Sequence, residues 1–227
     1  MTLRNPWRDL PNSKPYALPE DRPFIEVFNR SATEATRIHT ELLPEPFLGR
    51  FDAPIVVLLL NPGFSAHDAT YHSQPQFRRR LRAAIKAERK FPPHFHLSHG
   101  AVGPGSKWWL RAVKPLIEEV GQDWVADNLL AIEYFPYHSR TFRHAHIRLP
   151  SQEFSFSLVR GAITRKATVI CARGANVWFG ALPHLASYRR LIRVRNPRNA
   201  SLSEKNLASY ESVVAALRRH MNGRTHR

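Results

Sequence analysis

Apolar residues in this chain fall into short continuous runs that alternate with stripes at helical spacing. The strongest run, Ile55 to Leu60, is apolar throughout and of strand length, as for a strand covered on both faces. Similar runs predict strands over about Asn128 to Glu133, Ala167 to Cys171 and Leu191 to Val194. Between them the period changes. Phe77, Leu81 and Ile85 stripe a helix expected from about Pro75 to Lys90, with Arg78, Arg79, Arg82, Lys86 and Arg89 facing elsewhere. Ser106 is placed to cap a helix to about Val120, with Trp109, Val113, Leu116 and Val120 inward. Ser151 caps another to about Arg165, its N-terminus favoured by Glu153. Gly174 opens a short helix over about Ala175 to Leu182. Leu207, Tyr210, Val214, Leu217 and Met221 stripe a last one from Glu204 to about Met221. Upstream, a helix is expected from Phe24 to Leu43. Residues 1–23 hold Pro6, Pro11, Pro15, Pro19 and Pro23 and read as an irregular arm on the surface, and Asn61 to Gln74 reads as a long polar turn.

Strands that alternate with helices pair in parallel through right-handed crossovers. The expectation is an α/β fold: a three-layer α/β/α sandwich with a central four-stranded parallel sheet, in one domain over residues 1–227. Ligands of such sheets sit beyond the C-terminal strand ends. The loops beginning at Asn61, Glu133, Cys171 and Asn196 should therefore carry the chemistry.

Composition narrows the class. The 227 residues are 43% hydrophobic, enough for a substantial core. No apolar run approaches the roughly 18 residues of a membrane span, and Met1 to Pro6 lack a secretory signal, so an intracellular, cytoplasmic protein is expected. Lys and Arg total 34 against 18 Asp and Glu, a net charge of +16, with clusters at Arg78–Arg82, Arg140–Arg148 and Arg189–Arg198. Such an excess points to a polyanionic partner, and a monomer is expected. Cys171, the only cysteine, lies in an apolar run and reads as an inert buried thiol, which excludes disulfides, thiolate zinc and iron–sulfur clusters. His94, His96, His99, His144 and His146 form no helical i,i+4 ligand pair with a third ligand, so neither a metal nor a cofactor is expected.

Two loops carry the functional argument. Asn61-Pro62-Gly63 ends the first strand, and Asn196-Pro197-Arg198-Asn199-Ala200-Ser201-Leu202-Ser203 follows the last. Either one alone reads as a turn. As an ordered pair at equivalent strand ends they resemble the two motifs of the uracil-DNA glycosylase-like superfamily. The likeness is to the mismatch-specific and thymine-DNA branch, which has Asn-Pro-Gly in the first position. The second motif differs by two extra residues between Pro197 and Ser201-Leu202-Ser203.

The resemblance implies a monofunctional DNA glycosylase of base excision repair. It would flip uracil or a related deaminated base out of the stack and cleave the N-glycosidic bond with water; neither motif holds a lysine for a Schiff base. Asn61 would place the water, and the backbone of Gly63 or Phe64 and the amide of Asn196 would donate to the base. Tyr71 or Phe77 would stack on it, with Phe77 equally suited to core packing. Arg198 and Asn199 would enter the DNA, and Ser65, Ser201 and Ser203 would contact phosphates, Ser203 alternatively capping the last helix. Glu133 is a departure, standing where other members place a base-reading Asn. Ionised, it only accepts hydrogen bonds and suits an amine-bearing base; buried, it could be protonated, or it could pair with Arg140. His138, in Tyr134-Phe135-Pro136-Tyr137-His138-Ser139-Arg140, is the histidine best placed for chemistry. The alternatives are a module that binds DNA or flipped bases without cleaving, and an RNA-binding α/β protein.

Overall fold

The structure is a computed structural model that describes residues 4–88 and 94–224, with side chains described to Arg219. Its centre is a mixed five-stranded sheet in the order β1-β3-β2-β4-β5. The strands are β1 (Phe47–Leu48), β2 (Ile55–Leu59), β3 (Leu129–Glu133), β4 (Thr168–Cys171) and β5 (Leu191–Arg193). The four expected strands are present and parallel, with Leu59 opposite Glu133 and Leu58 opposite Cys171. Every residue of β2 is buried, which accounts for its unbroken apolar sequence.

A four-stranded sheet is one strand short. β1 adds an antiparallel edge, Phe47 opposite Ile132. Two residues between Pro46 and Gly49 are too few for a period to show.

Helices α1 (Arg22–Asn29), α2 (Ala66–Ser73), α3 (Pro75–Ile85), α4 (Pro104–Val120), α5 (Gln122–Asn128), α6 (Gln152–Thr164), α7 (Ala175–Ala181) and α8 (Tyr210–Arg224) complete the fold. Several depart from expectation for local reasons. The helix expected to Leu43 stops at Asn29, whose side chain donates to the Ile38 carbonyl and accepts from the Ile38 N–H, folding the chain back on itself. The supposed polar turn after Asn61 holds α2, because Asp68 accepts from the Ser65 N–H at 2.7 Å and closes its first turn. α3 ends at Ile85; Arg89 and Lys90, placed in it by the sequence, lie outside the described residues. α4 begins at Pro104, and Ser106, no cap, is buried against His96. α8 starts at Tyr210 instead of Glu204, and the Met221 side chain of its stripe lies outside the described residues. α5 had no foreseen counterpart.

The N-terminal arm is part of the core rather than a surface strap. Asn5 accepts from the Trp7 N–H and donates to the Ile85 carbonyl, and Trp7, Ala17 and Leu18 are buried. One contiguous hydrophobic cluster runs from Trp7 to Leu217. Cys171 is buried, its thiol pushed up to about 11 by burial, as an inert side chain should be. Among the described residues no helix is long and apolar enough to cross a membrane.

Candidate functional site

The C-terminal ends of β2, β3 and β4 open into a cavity of about 310 Å³, whose wall is completed by α2, α3 and the first turn of α4. This lies at the small end of the roughly 300–1,000 Å³ typical of ligand pockets. Asn61, Gly63, Phe64, Ser65, Tyr71, Phe77, Glu133 and His138 all line it. The topology thus gathers the first motif and the loop after β3 around one space.

Asn61 leaves β2 and fixes its amide on the neighbouring loop. Nδ2 donates to the Ser139 hydroxyl at 3.0 Å and to the carbonyls of Pro62 and Ser139 at 2.9 and 3.2 Å. No described residue donates to Oδ1, and Asn61 lines the cavity, so its acceptor is uncommitted. The aromatic wall is partly committed to packing. Phe64 stacks on His39 with centroids 3.5 Å apart. Tyr71 lies against Gly103, where a Cβ would come within 3.3 Å of the ring. Phe77 meets His72 at 4.9 Å and Phe95 at 5.5 Å and is mainly structural.

His138 is a clamp rather than the chemical group its loop suggested. Nδ1 meets the Gly63 carbonyl at 2.6 Å and Nε2 the Leu43 carbonyl at 3.1 Å. Both ring nitrogens are thus occupied by backbone carbonyls, and neither is open to a substrate. Ser65 is also committed: its hydroxyl donates to Asp68 at 2.6 Å, which removes the proton expected for a phosphate.

Sequence reasoning missed the charge network in this wall. Glu45 sits among three imidazoles, with Nε2 of His96 at 3.3 Å, His72 at 3.8 Å and His138 at 3.9 Å. Burial pushes its carboxyl up, but His96, His138 and His72 outweigh that and hold it at about 2. His72 is pushed down to about 3, by burial first and His138 second. Only glycine at 105 lets the start of α4 close over His96; a Cβ there would come 2.6 Å from the ring.

The ligating atoms of Glu45, His72 and His138 lie within 4.8 Å of one another, close enough for a metal ion. The hydrogen bonds argue against one. His72 Nδ1 accepts the Leu43 N–H at 3.1 Å, which places the ring's own proton on Nε2, the nitrogen that faces Glu45. Both ring nitrogens of His138 face backbone carbonyls. A metal needs a neutral imidazole with a lone pair exposed. The cluster is better described as a buried carboxylate held by N–H donors.

Glu133 ends β3 and faces the cavity. Its Oε2 is sealed from solvent and has no partner among the described residues. Burial first, then the charge of Glu45, push the carboxyl well above the usual range, with Arg173 pulling the other way. Glu133 therefore keeps its proton far above the pH at which an exposed glutamate loses it. The suggested pairing with Arg140 does not form; Arg140 is exposed. The cation in the cavity is Arg173, two residues beyond β4 and unforeseen in the sequence. Its guanidinium lies 5.7 Å from the Trp108 ring centroid, its Nε is buried, and no described residue accepts from the side chain.

The second motif sits on the same end of the sheet but outside the cavity. Asn196 is exposed, and its Oδ1 accepts from the N–H groups of Arg198 and Asn199 at 3.1 and 3.4 Å. The buried amide of Asn206 holds this loop, accepting from Asn196 N–H and donating to the carbonyls of Asn199 and Ser201. Ser203 does not cap α8; its carbonyl closes a turn with Asn206 and Leu207. Asn196, Arg198, Asn199, Ser201 and Ser203 are therefore not brought to the cavity, and Arg140 is absent from its wall too. Arg140 and Arg143, in the loop after β3, and Arg193, Arg195 and Arg198, on and after β5, are exposed.

No protein-family model matches the chain, and no curated protein or solved structure does either.

Proposed function

We propose that the protein is a monofunctional DNA glycosylase that draws a deaminated base into this cavity and hydrolyses its glycosidic bond. The reading rests above all on Asn61. Its amide is fixed by three donated hydrogen bonds, and its carbonyl oxygen is uncommitted beside an aromatic-lined cavity of ligand size. That oxygen can orient a water against the sugar as positive charge develops there. An amide cannot deprotonate the water, so turnover is slow. The surrounding arginines supply phosphate contacts that bring the duplex to the rim. The same reading carries the finer architecture with it, helices layered on both faces of the sheet.

In this scheme Asn196, which does not line the cavity, does not touch the base. It organises the turn that presents Arg198 and Asn199 to DNA. A second reading, recognition of a flipped base without cleavage, is favoured by that displacement, since one of the two expected polar groups is missing from the cavity. One assay separates them. Oligonucleotides with uracil, hypoxanthine or xanthine at one position are incubated with protein and treated with alkali. Strand breaks that disappear in Asn61→Ala support the enzyme. Tight binding at the modified base with no breaks supports the binding module and removes the glycosylase.

A further inference from the structure

We propose that the cavity selects an oxopurine, with Arg173 reading the O6/N7 edge and Glu133 the N1–H/C2 edge, and that xanthine is the base that satisfies both. The proposal rests on the reading of the cavity as a flipped-base pocket.

Two observations carry it. Arg173 and Glu133 line one cavity and are opposite in hydrogen-bonding character, yet no ion pair joins them, and the buried Nε of Arg173 and Oε2 of Glu133 have no partner among the described residues. A native interior seldom leaves such groups unmatched, because each costs free energy when buried alone. Their positions supply the second observation. β3 and β4 both pair with β2 and so flank it, which sets the strand ends roughly 10 Å apart at the usual inter-strand spacing. A planar ligand standing above Asn61 would span that interval.

The chemistry then narrows the ligand. The guanidinium fork matches two adjacent acceptors, and a purine with a 6-oxo group offers O6 beside N7. Uracil offers a carbonyl beside a C–H, which leaves half the fork unpaired. Further along the oxopurine edge come N1–H and C2. A protonated Glu133 accepts from N1–H through its carbonyl and donates through its hydroxyl. Xanthine carries a carbonyl at C2 and takes that hydrogen. Hypoxanthine carries only C–H there and forgoes one bond. Guanine carries an amine there, donor against donor, so the normal base is refused while its deamination product is accepted. The rings of Phe64 and Tyr71 line the same cavity and provide stacking surface for either ring system.

The test uses the full-length protein and four single-stranded oligonucleotides of one sequence, carrying xanthine, hypoxanthine, uracil or guanine at one position. Xanthine should be released about tenfold or more faster than uracil, hypoxanthine should fall between them, and guanine should persist. Arg173→Met should lower xanthine release by about 100-fold and uracil release by less than about tenfold. Glu133→Ala should shrink the preference for xanthine over hypoxanthine. The unaltered protein should release xanthine more slowly at alkaline pH, where Glu133 ionises, and Glu133→Gln should abolish that fall. Calorimetry with free xanthine and free uracil supplies a readout independent of cleavage and of variant folding. Faster release of uracil, or an equal loss on every base in Arg173→Met, overturns the proposal and leaves the glycosylase reading standing. No release of any base together with tighter binding of free xanthine overturns the glycosylase and supports the edge assignment. No release and no binding preference overturns both.

Discussion

Two Asn-Pro corners end parallel strands of one sheet, and the protein treats them differently. At the first, Asn61 spends its amide hydrogens on a loop 78 residues away and leaves its oxygen uncommitted beside a cavity. At the second, Asn196 spends its oxygen on its own turn and stays exposed. The dipeptide sets only how the chain leaves the strand. What the asparagine can do follows from which half of its amide the surroundings consume. A free carbonyl in a cavity orients water, whereas a consumed carbonyl shapes a loop.

The comparison breaks most directly in activity. Asn61→Ala should cost roughly 10²–10³-fold in base release, the scale found for a lost polar group in a catalytic site. Asn196→Ala should cost less than about tenfold and act through DNA affinity. Equal losses in single-turnover rate would show that both corners serve the chemistry.

Stability gives the next contrast. Asn61→Asp puts a carboxylate against the Pro62 and Ser139 carbonyls and should cost about 1–3 kcal/mol in urea unfolding. Asn196→Asp keeps the accepting oxygen of an exposed turn and should stay within about 0.5 kcal/mol. If both are neutral, the amide is not held as its hydrogen bonds require.

Acid should also separate the regions. His72 lines the cavity, and His94 packs on Trp109 of α4, which borders it; both are held at about 3 by burial. The unfolded imidazole gains a proton near 6.5 that the folded one refuses. Their contribution is therefore whole above pH 6.5 and drains away as pH falls toward 3. Buried His144, also near 3, adds to the loss elsewhere in the fold. His94→Leu should remove of order 1–2 kcal/mol of the loss measured between pH 6.5 and 5. Hydrogen exchange at pH 5 should show α4 opening before β5; simultaneous opening would contradict a cavity-side origin.

The smallest effect concerns salt. DNA affinity should fall steeply with ionic strength, and Arg198→Ala should reduce the slope by about 1 while Arg173→Met leaves it unchanged. A slope that responds to Arg173 would place that residue on phosphate instead of a base.

Much of the scaffold was legible because its signals are local. The four parallel strands are continuous apolar runs, helical stripes mark α3 and α4, and Ser151 and Glu153 mark the start of α6. α2 escaped notice because its only buried residue is a histidine. The arm escaped because its prolines suggested a surface path, while Trp7 is fully buried. In the site, Asn61 and Glu133 were found by standing at strand ends. The loop holding Arg173 was flagged and the residue was not, since one arginine among many has no signature in a basic chain. Glu45 was invisible: its carboxylate is held by imidazoles contributed from three separate segments.

The sequence by itself determined the alternating α/β order, the parallel pairing of four strands, the excess of positive charge and the strand ends at which chemistry gathers. Periodicity and charge are properties of neighbours along the chain, so they can be read without coordinates. Only the tertiary structure decided which Asn-Pro corner faces a cavity, that His138 is consumed as a clamp, and that Glu133 and Arg173 stand unmatched across one space. Those outcomes depend on burial and on hydrogen-bond partners 75 or more residues apart, and no local pattern encodes them.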